Sequence, residues 1–242
     1  MSGALRTLVL VPTYNEIDNV DSIIAGILDA APEADLLFVD DNSPDGTGDK
    51  LDAHAAADER IRVLHRPGKL GVGSAHGDGI AWAYEQGYPL LVTLDSDGSH
   101  TPADIPRFLE LADRGEVVVG SRFIERNSLD EWVWTRKLMT HLGHVLTRLL
   151  LGLPYDATGG FRLYRLDRIP QGLFRMVESP GYSFFYESLH RLHVNGVHIL
   201  ELPIRLPART YGDSKLRPGD VIREASFLFR FALRTRFRRR QF

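Results

Sequence analysis

In LLVTLDSDGSHTP, residues 90–102, an apolar, β-favouring run ends in two aspartates one residue apart, Asp95 and Asp97. Side chains alternate along an extended segment, so positions i and i+2 point the same way. Two carboxylates on one side of a strand end suit a hard divalent cation whose remaining sites are filled by phosphate oxygens. Without a cation they repel each other. Alone, Asp-x-Asp is equally well a solvated turn, since Asp, Gly and Ser are turn-forming. A second acidic pair, Asp40-Asp41, closes another apolar run in VDDNSPDGTGD, residues 39–49. A carboxylate there can accept hydrogen bonds from a base or ribose; alternatively the segment is a strand-to-helix loop capped by Asp45 or Thr47.

The glycines of HRPGKLGVGSAHGDG, residues 65–79, run Gly71-x-Gly73-x-x-x-Gly77. That is neither the dinucleotide Gly-x-Gly-x-x-Gly spacing nor a P-loop. Lys69 before a helix start can still bring backbone N–H groups near a phosphate or sugar. Among the cations, Arg122, Arg136, Arg209 and Lys215 stand out; the last two flank TYGDS, a loop suited to closing over an anion. The pairs His141/His144 and His190/His193 have i, i+3 spacing, but no neighbour supplies a third zinc ligand.

These residues need elements to hold them. Short β-rich runs at 7–13, 35–41, 60–66, 89–95 and 116–122 alternate with helical patterns such as Val20, Ile23, Ile24, Ile27 and Leu28, then 73–87 and 102–113. Strands apolar on both sides and separated by helices predict a parallel sheet covered on both faces. In such sheets ligands bind beyond the carboxyl ends of the strands, where PTYNE, DDNSPDGTG, DSDGSH and GSRF all fall. A long amphipathic pattern over 133–152, an aromatic-rich segment at 181–193 and a strand-like 197–207 follow, with no linker between the halves.

The C-terminal stretch carries seven arginines and one glutamate from Arg223 onward. Arg223, Arg230 and Arg234 share one helical face, and Phe227, Leu228, Phe231 and Ala232 take much of the rest. This predicts a basic amphipathic helix over 221–242 at an anionic membrane surface, outside a main domain over 1–220; a helix packed on that domain is the plainer alternative. The 242 residues are 43% hydrophobic and 25% charged with net charge −3, an ordinary globular composition that points to no nucleic-acid partner. There is no cysteine, which excludes disulfides and thiolate chemistry and is compatible with a reducing compartment. The N-terminus does not read as a signal peptide, and VLTRLLLGLP falls short of the ~20 apolar residues of a spanning helix, so a soluble or peripheral protein is expected.

Seven motifs in order, VPTYNE, VDDNSPDGTG, KLGVGSAHGDG, LDSDGSHTP, VVGSRF, TGGFRLYR and RTYGDSKL, cover roughly residues 7–216. Together they resemble the polyprenol- and dolichol-phosphate mannose synthases, inverting glycosyltransferases of family two; DSDGSH is more like the actinobacterial members than the eukaryotic ones. The resemblance implies an α/β GT-A (Rossmann-like) fold, a mostly parallel sheet flanked by helices, with C-terminal amphipathic helices. It implies metal-dependent transfer of mannose from GDP-mannose to a polyprenyl phosphate, giving polyprenyl phosphate β-mannose, with Mg²⁺ or Mn²⁺ as cofactor. By motif, Pro12, Tyr14, Glu16, Val39 and Asp41 hold the guanosine, with Lys69 also on the donor side. Asp95, Ser96 and Asp97 hold metal and diphosphate, with Ser99 near the metal; Arg209 and Lys215 hold the donor diphosphate. Arg122, Arg136 and Thr140 bind the acceptor phosphate, and Asp95, Asp97 and Arg122 form the catalytic set. Ser96 stands where many relatives carry Ala, and the C-terminal transmembrane helices of some members are absent. The expected location is therefore cytoplasmic and peripheral, on the inner face of the cell membrane, held by amphipathic segments or a membrane-anchoring partner protein. UDP-glucose as donor, a soluble acceptor, and a non-catalytic sugar-nucleotide-binding protein are the competing readings.

Overall fold

A computed structural model describes residues 5–126, 128–130, 132–206 and 218–236, with side chains from 223 to 235 in the last segment. Seven strands form one sheet: β1 (Thr7–Thr13), β2 (Asp35–Asp40), β3 (Ile61–His65), β4 (Leu90–Thr93), β5 (Val117–Ser121), β6 (Arg162–Arg165) and β7 (Ile199–Pro203), in the order β3-β2-β1-β4-β6-β5-β7. All pairings are parallel except those of β6, which runs antiparallel to β4 and β5. The five strands expected in the first half are present, and the 197–207 run supplies β7. The strand inside GGFRLYR, by contrast, is an addition.

Alternation along β1 sends Leu8 and Leu10 to one apolar layer and Val9 and Val11 to the other. On the Val9 side lie α1 (Val20–Ala30), α2 (Thr47–Ala57) and α4 (Ile105–Glu110), the last preceded by a 3₁₀ turn at Pro102–Asp104. On the Leu8 side lie α3 (Val72–Glu85), α6 (Gly172–Arg175), α7 (Ser183–Val194) and α8 (Pro218–Arg236), with the end of α5 (Trp134–Leu151). The chain runs outward from β1 to β2 and β3, then returns to β4 on the other side of β1. This topological switch opens a crevice at the strand carboxyl ends.

The C-terminal helix starts earlier than expected, and residues 237–242 of the expected 221–242 stretch lie outside the described residues. It begins at Pro218, and its stripe of Leu228, Phe231 and Ala232 is buried in the core. Phe231 meets His190 edge-on at 5.2 Å, and Phe227 lies 6.3 Å from Tyr186, both on α7. Tyr186 Oη donates to the Glu224 carbonyl at 3.3 Å, and Ser183 Oγ donates to the Glu224 carboxylate. The apolar stripe expected to meet lipid is therefore spent on α7, while Arg223, Arg230 and Arg234 stay outside.

On α5 the arrangement is reversed. Trp134, Leu138, Leu142, Val145 and Leu149, spaced four, four, three and four residues apart, form one exposed apolar stripe; Trp134 is 72% and Leu149 75% exposed. At 100° per residue, Lys137, His141 and Arg148 border it as a basic row.

Candidate active site

The loops after β1 and β2 are laced together. Asn15 N–H donates to Ser43 Oγ (2.9 Å), Glu16 N–H to Thr47 Oγ1 (2.9 Å) and Ile17 N–H to Asp45 Oδ2 (3.2 Å). Asp45 Oδ1 also accepts from Thr47 N–H, the first amide of α2, at 3.0 Å; the N-cap position itself is Gly46, not Asp45 or Thr47 as expected. Asn15 and Asn42 hold the left-handed conformation that these tight turns need, with φ of 55° and 56°.

At the carboxyl end of β2 both aspartates are buried and engaged. Asp40 accepts from Ser43 N–H (3.1 Å) and Ser43 Oγ. Asp41 Oδ1 pairs with Arg66, and its Oδ2 accepts from the Leu70 and Gly71 amides at 3.2 and 3.4 Å. These two amides fasten the glycine loop to Asp41. Burial pushes the Asp41 carboxyl up from its usual range, and Arg66 and the two amides pull it only part of the way back. Gly71 (φ +104°) is required here, since a Cβ would lie 2.4 Å from the Pro180 carbonyl oxygen. Lys69 swings back over the Tyr14 ring, its Nζ 4.1 Å from the centroid, so two expected donor residues do meet. Glu16 is buried and accepts from Asn19 Nδ2 at 2.6 Å. Pro12 and Val39 are cross-strand partners, but Val39 is fully buried and its carbonyl accepts from Thr13 Oγ1 at 3.3 Å. The Val39 side chain is thus part of the core, which leaves only its backbone for the expected nucleoside contact.

Asp95 and Asp97 follow β4. The Asp95 side chain is 38% exposed, in contrast to the sealed pair after β2. The Asp95 N–H donates to His100 Nδ1 at 2.9 Å, which sets the ring tautomer with its hydrogen on Nε2; buried His100 packs on Phe161, 5.1 Å between ring centroids. Asp97 Oδ1 accepts from Ser99 N–H at 3.0 Å, across a turn with Gly98 at φ +72°. Ser96 and Ser99 are buried. Among the described residues, no group of three or more His, Cys or acidic side chains is gathered around one point. Two half-exposed carboxylates in a polar turn fit a hard cation that takes its other oxygens from substrate phosphate and water.

Arg122, just beyond β5, meets a partner the sequence did not reveal. Its Nε and Nη2 grip Asp156 at 2.7 and 2.6 Å, its N–H donates to the same carboxylate at 3.1 Å, and Nη2 also donates to Thr158. Asp156 is completely buried, and its N–H donates to Glu201 Oε1 on β7 at 2.8 Å. Burial would lift the Asp156 carboxyl, but Arg122 holds it below the usual range; burial would lower Arg122, but Asp156 and then Asp95 raise it. The pair stays ionised, with Nη1 of Arg122 unpartnered among the described residues. Gly159 and Gly160 separate it from the acidic site. A Cβ on Gly159 would lie 3.9 Å from Arg122 Nη2, and one on Gly160 3.2 Å from Asp95 Oδ1.

Phe123 stacks on His144 (4.0 Å) and meets His141 edge-on (5.4 Å), docking α5 beside Arg122. Arg136 lies over the Trp132 ring at 3.5 Å, and Thr140 follows one turn later, both on the face of α5 turned away from the exposed stripe. His190 and His193 pack against Phe231 and Tyr155. Arg209 and Lys215 lie outside the described residues. Sequence reasoning missed Asp156, Thr158, Arg66 and His100. Each lies within or beside a quoted motif, but a partner across the sheet leaves no local pattern.

The family model for glycosyl transferase family 2 matches residues 8–169. An undecaprenyl-phosphate mannosyltransferase of Micrococcus luteus is 41% identical over 218 residues, 90% of this chain and 90% of that protein. A polyprenol monophosphomannose synthase of Mycolicibacterium smegmatis is 39% identical over 225 residues, covering 92% and 84%. Among solved structures, a mannosyltransferase of Pyrobaculum calidifontis in complex with GDP-Man and Mn²⁺ matches 97% of this chain and 73% of its own, with TM-score 0.55 and 16% identity. That likeness shows a shared fold, the GT-A arrangement of a mostly parallel sheet between helical layers.

Proposed function

The chain belongs to glycosyl transferase family 2, and we propose that it transfers mannose from GDP-mannose to a polyprenyl phosphate at a membrane surface, with inversion at the sugar. The observation that carries this reading is that the adjacent glycines Gly159 and Gly160 back onto Arg122 and Asp95 respectively, and that the Asp95 charge acts on Arg122. One side suits a cation-bound diphosphate, the other an incoming phosphate.

A phosphomonoester has a second pKa of ~6, so near neutral pH the acceptor oxygen is already an anion and needs no strong general base. The difficulty is to bring it up to a diphosphate against repulsion. Arg122 is suited to this because Asp156 and Thr158 fix its fork while Nη1 remains for a ligand. Arg136, braced on Trp132, and Thr140 extend the same anion site along α5. On the donor side, Tyr14, Glu16, Asp41 and Lys69 line the nucleoside end, and Asp95 and Asp97 hold Mg²⁺ or Mn²⁺ with the diphosphate. When bound, the ion neutralises charge on the leaving nucleoside diphosphate. Attack from the face opposite that group turns an α-linked donor into a β-linked product.

The acceptor's hydrocarbon must remain in lipid, and α5 supplies the surface for that. Its apolar stripe and the row of Lys137, His141 and Arg148 match an anionic bilayer interface. The exposed Phe229 and Leu233 of α8, which packs beside α5, extend this surface. Among the described residues, no helix is long and apolar enough to cross a membrane. Attachment at the inner face of the cell membrane follows from this reading, with α5 rather than the α8 stripe as its main contact.

The test separates the two sides of the site. Asp97→Asn should lower kcat by ~10³ or more and weaken binding of GDP with Mn²⁺, as expected when transition-state charge loses its support. Arg122→Lys should instead raise the KM for a short-chain polyprenyl phosphate about tenfold and spare GDP binding. Loss of GDP affinity in Arg122→Lys, with the acceptor KM unchanged, would overturn the assignment.

A further inference from the structure

Two arginines of β6 are buried, and only one is paired. Arg165 meets Asp113 and Asp167 at 2.7 and 2.9 Å. Arg162, fully buried in the same strand, has no carboxylate within ion-pair distance among the described residues. Its Nε donates to the Gly159 carbonyl at 2.9 Å and its Nη2 to the Ala157 carbonyl at 3.0 Å. Nη1 donates to Ser188 Oγ on α7 (3.2 Å) and to Tyr164 Oη (3.3 Å), and the guanidinium lies 5.4 Å from the Phe185 ring centre.

Burying a cation without a counter-ion is costly, and an apolar residue would fill a place between β4 and β5 at no such cost. What the guanidinium adds is its geometry: a rigid fork that gathers two carbonyls, two residues apart, onto one side of a loop. Between and before those carbonyls lie Thr158 and Asp156, the two residues that hold Arg122. The next residue is Gly160, whose carbonyl accepts from Thr93 Oγ1 at 2.6 Å and whose Cα backs onto Asp95. One buried fork thus sets the face of the loop that the acceptor-side clamp stands on.

We propose that Arg162 is a positioning residue for the acceptor phosphate: by drawing the Ala157 and Gly159 carbonyls inward, it presents Asp156 and Thr158 to Arg122 and so fixes the phosphate-binding guanidinium. The inference rests on the reading of Arg122 as an acceptor-phosphate ligand. It does not involve the donor side, whose described residues lie at the ends of β1, β2 and β4 and in the loop after β3. Arg162→Lys keeps the charge, but a single ammonium cannot reproduce the fork, so charge and geometry come apart.

The experiment compares Arg162→Lys, Thr158→Val, the double variant and Arg122→Lys, each in the full chain. It measures kcat, the KM for a short-chain polyprenyl phosphate, GDP–Mn²⁺ affinity by calorimetry, and thermal melting. Arg162→Lys should raise the acceptor KM at least tenfold while GDP–Mn²⁺ affinity changes less than threefold. The double variant should be little worse than Arg162→Lys alone, because both changes act on the same clamp. An acceptor KM within twofold of the parent, equal losses on donor and acceptor sides, or additive effects would each overturn the proposal. Should Arg162→Lys fail to fold, Ser188→Ala, which removes one of the four acceptors, should raise the acceptor KM about threefold; no change there overturns the proposal too. If Arg122→Lys leaves the acceptor KM unaltered, the underlying reading of Arg122 is what fails. If it raises KM and Arg162→Lys does not, only the role of Arg162 fails.

Discussion

The helices α5 and α8 are both amphipathic and lie side by side, yet they use their apolar stripes in opposite ways. In α8 the stripe of Leu228, Phe231 and Ala232 closes against α7, and the arginines face out. In α5 the stripe from Trp134 to Leu149 faces out, and the polar Arg136, Thr140 and Thr147 turn toward the body of the protein. Amphipathicity alone therefore does not say which face meets the protein. An apolar stripe contributes to fold stability where a partner covers it; where it stays exposed, as on α5, it is available to another surface.

The largest effect should come from the covered stripe. Phe231→Ala should cost about 3 kcal/mol of stability, a fall of roughly 10 °C in Tm for a chain of this size, with binding to anionic vesicles unchanged. A Tm within 2 °C of the parent would break the comparison on the α8 side. The uncovered stripe should behave in the reverse manner. Leu138→Asp with Val145→Asp should leave Tm nearly unchanged but weaken binding to phosphatidylserine-containing vesicles ~100-fold, since each apolar side chain is worth about 1.5 kcal/mol. Unchanged vesicle binding would remove lipid as the partner of α5.

Acid should weaken the covered seam. Burial, with His193 and Arg191 adding to it, pushes His190 down to about 4, from an unfolded value near 6.5. The folded state cannot take up the proton that the unfolded chain binds. The stability this group allows is therefore complete above pH 6.5 and is lost as pH falls toward 4. About 2 kcal/mol should go between pH 7 and 4.5 from this group, and that part of the slope should vanish in His190→Gln. His76, fully buried and pushed to about 3 by burial and then by the Arg162 charge, adds a slope of the same sign that His190→Gln leaves intact. The smallest effect concerns the basic border of α5. Arg148→Ala should weaken vesicle binding about fivefold, close to 1 kcal/mol for one charge near an anionic surface. High salt should erase the difference.

The parts legible in the sequence are those where local pattern and final environment coincide. The strands β1, β2, β4 and β5 are buried on both faces, so they read as unbroken apolar runs, and the polar loops after them gather at the strand carboxyl ends. Asp95, Asp97 and Arg122 stand at strand ends for that reason. The strand β6 was hidden because Arg162 and Arg165 make RLYR look like surface, although all four of its residues are buried. The helix α7 showed only as an aromatic-rich segment. It is buried nearly all round, and Glu187, held by the Glu178 and Ser179 amides and by Arg191, breaks any apolar stripe. Asp156 could not be picked out, since its meaning comes from Arg122 thirty-four residues away. The burial of Leu228, Phe231 and Ala232 on α8 was not legible because the covering face on α7 is a tertiary fact, while the α5 stripe was visible only as an amphipathic pattern.

The most direct test of the account is transfer itself. The purified chain is incubated with Mg²⁺ or Mn²⁺, a short-chain polyprenyl phosphate and either radiolabelled GDP-mannose or radiolabelled UDP-glucose, and the lipids are then extracted. The account predicts label in the lipid phase from GDP-mannose only, as an acid-labile β-linked product, and none from the Asp97→Asn variant. Label from UDP-glucose instead, or from neither donor despite tight GDP binding, would contradict it.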